Sequence, residues 1–79
     1  MSFTYSDLIE YLLINRISSY MFTVWDLGNG LFELYPSCPD FTGSILSALQ
    51  HHDDLSVQFD CDDQVIKVCH DLDILLPAN

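Results

Sequence analysis

The chain predicts a single α+β domain over residues 1–79, with two helices packed on one face of a four-stranded antiparallel sheet in the order α-β-β-α-β-β. Three observations lead there. Apolar residues recur at helical spacing in two stretches, near the N-terminus and after Pro39. Two further stretches, Tyr20–Tyr35 and Leu55–His70, each hold two strand-like arms around turn residues. The two halves are similar in length, so the order reads as a loose αββ duplication of architecture, with slight residue identity. At 79 residues and 49% hydrophobic, the chain can build one thin core.

The first helix starts at Thr4, an N-cap whose reciprocal acid is Asp7 three residues on. Tyr5, Leu8, Ile9, Leu12 and Leu13 then carry the helical spacing to about Asn15. Tyr11 and Ile14 widen the apolar stripe, which suits a helix wedged between sheet and second helix, or one with a dimer or partner face. Arg16–Ser19 breaks the chain.

The stretch Tyr20–Tyr35 reads as the hairpin around which the rest is organised. Its arms are rich in β-branched and aromatic residues, and Gly28-Asn29-Gly30 sits between them. A Gly28-Asn29 loop pairs Trp25 with Phe32. The alternative Asn29-Gly30 loop sets Asp26 against Glu33, an unfavourable like-charge pair, so the first register is preferred. It puts Met21, Thr23, Trp25, Phe32 and Leu34 on one face. The other face then carries Tyr20, Phe22, Val24, Leu31, Glu33 and Tyr35. Both faces are largely apolar, so each needs a cover, from the protein itself or from a partner.

Pro36–Asp40 ends the hairpin. Ser37 with Asp40 forms a second capping-box pattern. A helix over about Pro39–His51 follows, with Phe41, Ile45, Ala48 and Leu49 on one stripe and Gly43 as a mild weakness. After His52-Asp53-Asp54, the segment Leu55–Phe59 alternates with period two, and Gln64–His70 returns as its partner strand. Leu55, Val57 and Phe59 are expected inward beside Ile66 and Val68, with Ser56, Gln58, Lys67 and Cys69 outward. Asp71–Leu76 reads as a short last strand or a packed tail.

Charge is the strongest global signal. Twelve Asp and Glu face only Arg16 and Lys67, for a net charge of −10. Nothing here can neutralise phosphates, which argues against direct nucleic-acid binding and against an anionic membrane. A basic protein is the natural complement. Asp53, Asp54, Asp60, Asp62, Asp63, Asp71 and Asp73 cluster late in the chain, with Asp60–Asp63 expected at the tip of the second hairpin. Such carboxylates imitate a run of phosphates and are attracted to a Lys/Arg-lined groove; equally, they serve as turn residues that keep a small apolar protein soluble.

No residue pattern specifies an enzyme, a cofactor or a metal. Asp60-x-Asp62 opens like a calcium loop, but Val65 occupies the position that needs Gly, and Asp71 stands where Glu is usual. Cys38, Cys61, Cys69, His51, His52 and His70 lack paired zinc spacing, and the adjacent Cys69 and His70 point to opposite faces of a strand. A thiolate in so negative a setting is disfavoured, which weighs against Cys–His catalysis. Three cysteines without a secretory leader pattern suggest reduced thiols in a cytoplasm.

The expected function is therefore a small acidic inhibitor that occludes a nucleic-acid-binding or other basic surface of a larger protein. The Asp cluster steers the encounter, and Tyr20, Phe22, Trp25 and Tyr35 anchor it. In size and charge this fits phage or mobile-element counter-defence proteins, such as anti-CRISPR or anti-restriction inhibitors, acting in a bacterial cytoplasm. The alternatives are a homodimeric or larger assembly protein and an immunity- or chaperone-type binder of one dedicated partner.

Overall fold

The computed structural model describes residues 3–70 and has the α+β architecture expected, with two helices and a four-stranded antiparallel sheet. Helix α1 spans Tyr5–Ile14. Its N-terminus is closed as the local chemistry dictates: the Thr4 hydroxyl accepts the Asp7 N–H at 3.2 Å, and the Asp7 carboxylate accepts the Thr4 N–H at 2.9 Å. Its C-terminus is a Schellman motif. The Ile17 N–H donates to the Leu12 carbonyl at 2.8 Å and the Arg16 N–H to Leu13 at 3.0 Å. That closure puts Arg16 in the left-handed region, at φ 67°.

A 3₁₀ turn at Ser19–Met21 leads into β1, Phe22–Gly28, and β2, Leu31–Pro36, follows. Their register corrects the one expected. Trp25 opposes Glu33, Asp26 opposes Phe32, and Gly28 opposes Leu31, with a β-bulge between Asp26 and Gly28. The loop is Asn29-Gly30, with φ of 55° and 77°, the signs a type I′ turn requires. The bulge removes the objection to this loop. One extra residue moves Asp26 away from Glu33, and the Asp26 carboxylate takes the Gly28 N–H at 2.9 Å. The faces are reshuffled as a result. Phe22, Val24, Phe32 and Leu34 share the core side. Thr23, Trp25, Leu31, Glu33 and Tyr35 share the other.

Helix α2 spans Pro39–Gln50 with Cys38 at its N-cap. The Ser37–Asp40 capping box does not form, because Cys38 takes the N-cap position and leaves Ser37 one residue outside it; the Ser37 hydroxyl donates to the Tyr20 carbonyl at 2.9 Å and ties the helix approach to the 3₁₀ turn. Strands β3, Leu55–Asp60, and β4, Val65–His70, pair in the alternating pattern expected. The sheet order is β1-β2-β4-β3, so β2 and β4 are central. Leu8, Leu12 and Ile17 meet Ile45, Ala48 and Leu49 and the sheet residues Phe22, Phe32, Leu34, Leu55, Ile66 and Val68 in one cluster. Both helices thus cover the same sheet face.

Aromatic rings bind the N-terminal segment to this arrangement. Phe3 stacks on buried His70 at 4.7 Å and 7°, and Tyr11 meets His52 edge-to-face at 4.9 Å. The Tyr11 hydroxyl donates to the Ala48 carbonyl at 2.6 Å, joining α1 to α2. Burial raises the Tyr11 phenol above its ordinary range, and Asp53 adds to the effect.

Candidate functional site

The sheet face away from the helices is the candidate surface. One row runs Trp25, Glu33, Lys67, Gln58 across β1, β2, β4 and β3, and a second pairs Leu31 with Cys69 and Ser56. Thr23, Tyr35 and Val65 lie beyond the first row. Trp25 is 59% exposed and Tyr35 36%, and they are diagonal neighbours on adjacent strands, within reach of a single binding partner. Leu27, the bulged residue two positions after Trp25, is 56% exposed. The Tyr35 hydroxyl donates to Glu33 Oε1 at 3.2 Å. Desolvation, then the Glu33 carboxylate and Asp63, hold this phenol above its ordinary range.

The other two aromatic residues expected at this surface are elsewhere. Phe22 is a core residue, 7% exposed, because the true register turns it toward the helices. Tyr20 is exposed, but its ring stands edge-to-face with Phe41 of α2 at 6.1 Å, on the helix side.

The acids divide between the two ends of β3. Asp60, Asp62 and Asp63 form the tip of the second hairpin, and Asp53 and Asp54 precede β3 at its other end. A six-residue strand sets the groups roughly 17–20 Å apart. They are not equivalent. Asp60 Oδ1 accepts the N–H groups of Asp62 and Asp63 at 3.0 and 3.3 Å, so its carboxylate closes the turn. Asp62 and Asp63 point their charge outward from an exposed turn. The Asp54 N–H donates to His52 Nδ1 at 3.1 Å, which orders the bend before β3. Asp71 and Asp73, and the Asp71–Leu76 segment as a whole, lie outside the described residues.

Cys69 and His70 do face opposite ways: Cys69 opposes Leu31 on the open face, and His70 is buried on the helix side. Among the described residues, no group of three or more His, Cys, Asp or Glu side chains converges as metal ligands would. Cys38, Cys61 and Cys69 are free thiols. No helix of the described residues is long and apolar enough to cross a membrane.

The helix side carries a concave feature that no single stretch of sequence specifies. A groove of about 580 Å³ lies between the end of α1 and the exposed side of α2, with Arg16, Gly43, Ser44, Ser47 and His51 among its lining residues. Two sequence signals point to it: an arginine where a Schellman motif favours glycine, and a glycine in mid-helix. Comparison with protein-family models, curated proteins and solved structures gives no match.

Proposed function

We propose that this protein is a non-enzymatic binder that inhibits a larger, basic partner in a bacterial cytoplasm by occupying the surface on which that partner holds nucleic acid. The observation that carries the reading is the sheet face that, among the described residues, neither helix covers. Trp25 and Tyr35 stand on it, and Tyr35 is within electrostatic reach of Asp63 in an exposed acidic turn. Aromatic residues are the usual anchors of protein interfaces, and a strong negative charge speeds encounter with a basic surface. With a net charge of −10, the chain repels copies of itself and nucleic acid alike, so a basic protein is the occupant its charge favours. Counter-defence inhibition remains the proposed setting, on size and charge.

The test is a tagged pull-down from nuclease-treated bacterial lysate, washed at low and then high salt, with wild type compared against Asp62→Lys/Asp63→Lys. Asp60 is left intact because it holds the turn. The expected result is a basic nucleic-acid-binding protein that elutes as salt rises and is displaced by its own nucleic acid. It should associate more slowly with the double variant. A double variant that associates as fast as wild type at low salt overturns the charge role.

A second reading, self-assembly through the first hairpin, is favoured by two exposed large apolar side chains on β1, Trp25 and Leu27. Sedimentation of the purified protein separates the two: a salt-resistant oligomer with no other protein recovered supports assembly, and a monomer supports the inhibitor.

A further inference from the structure

We propose that the groove between α1 and α2 is a binding site for a small organic oxyanion, a phosphate monoester or carboxylate carried on an apolar body. The site is on the helix side of the molecule and is independent of the open sheet face. Arg16 supplies the charge for such a site. The chain has twelve acidic residues, yet among the described residues Arg16 makes no ion pair and no side-chain hydrogen bond. A guanidinium is a planar fork of donors suited to the paired oxygens of a carboxylate or phosphate, and this one lines a groove whose wall, among the described residues, holds no acid.

The backbone of Arg16 is also unusual. Arg16 holds φ 67° at the position after the α1 C-cap, where glycine meets no steric cost. Arginine here is therefore a residue the helix stop does not ask for. Gly43 sits inside α2, where it weakens the helix, and a Cβ built on it would meet nothing within 4 Å. No packing among the described residues requires a glycine there. Its bare backbone instead opens the wall of the groove to close approach by a ligand.

The remaining walls complete the chemistry. Ser44, Ser47 and His51 recur along one stripe of α2 and line the groove. His51 Nδ1 bonds the Ser47 carbonyl at 2.6 Å, which fixes the ring. The two hydroxyls offer donors to an oxyanion, while Ile17, Met21 and Ala48 supply an apolar side. A volume near 580 Å³ is within the range of small-molecule sites.

The experiment titrates isotope-labelled full-length protein with phenyl phosphate, benzoate, inorganic phosphate and benzyl alcohol, followed by amide NMR shifts. Phenyl phosphate or benzoate should give saturable shifts centred on Arg16, Gly43, Ser44 and Ser47, and whichever binds tighter identifies the head group. Benzyl alcohol, with no charge, should give none. Two variants sharpen the test because neither disturbs the fold: Arg16→Gly relieves the left-handed backbone, and Gly43→Leu places a good helix former in open space. Each should melt at or above the wild-type temperature and bind at least about tenfold more weakly, Arg16→Gly by loss of the charged fork and Gly43→Leu by obstruction. The proposal is overturned by no saturable shift with either organic anion at millimolar concentration, by equal shifts with benzyl alcohol, or by unchanged affinity in Arg16→Gly. A response to inorganic phosphate alone would also overturn it, since the apolar wall would then have no role.

Discussion

Replacing Gly43 with alanine should stabilise the protein, and the size of the effect follows from the surroundings of that residue. Gly43 is exposed within α2, and a Cβ there meets no atom within 4 Å, so the new methyl group neither clashes nor gains burial. What remains is the backbone term. Alanine restricts the unfolded chain more than glycine and favours the helix, together worth about 0.4–1 kcal/mol at a compatible site. For a domain of this size each kcal/mol moves the melting temperature by roughly 4–8 °C, so an upward shift of about 2–8 °C is expected. Far-UV circular dichroism melts measure it, with urea titration as the companion; the urea midpoint should rise with its slope unchanged. An unchanged or lowered melting temperature refutes the reasoning. It would mean that the methyl group meets something in solution, and that the glycine serves packing after all.

Other outcomes follow from the same geometry. Gly30→Ala should cost about 1 kcal/mol by thermal melt, because Gly30 holds φ 77° in the Asn29-Gly30 turn; a neutral effect would favour the Gly28-Asn29 loop, in which residue 30 is an ordinary strand residue. Leu34→Ala, at a fully buried site between the sheet and both helices, should cost about 2–5 kcal/mol in urea unfolding, and a loss below 1 kcal/mol would contradict its central place. Thr4→Ala should cost about 1 kcal/mol. Its capping partner Asp7 is held below the ordinary aspartate range, chiefly by hydrogen bonds from Thr4. A carboxylate lowered on folding stabilises the protein above its unfolded value and loses that effect as pH falls through the folded one. The gap between wild type and Asp7→Asn should therefore be present at neutral pH and close under acid; a gap that persists at low pH would show that Asp7 acts otherwise.

Some features were legible because neighbouring residues create them. The Thr4–Asp7 box closes within one helical turn, and the alternation of Leu55, Val57 and Phe59 needs only the two-residue period of a strand. The first hairpin was harder. Like-charge repulsion between Asp26 and Glu33 argued against the true loop, and one bulged residue, held by Asp26 itself, removed that conflict. A bulge of this kind leaves hardly any mark in the residue pattern, yet it exchanged faces for half the hairpin. Phe22 moved into the core, and Trp25 came to share a surface with Tyr35. The Ser37 hydroxyl donates to the Tyr20 carbonyl, seventeen residues back along the chain, and accepts no N–H from the first turn of α2.

The residue order was therefore sufficient for the helices, the second hairpin, the single core and the excess of negative charge, since each arises from spacing or from a simple sum. Which sheet face stays open, which aromatic residues stand on it, and the meeting of Arg16 with Gly43, Ser47 and His51 were decided only when α1 and α2 settled on the same side of the sheet. The physical reason is range: caps and strand periods act between residues a few positions apart, whereas a face or a groove exists only once distant segments have buried their apolar sides against one another.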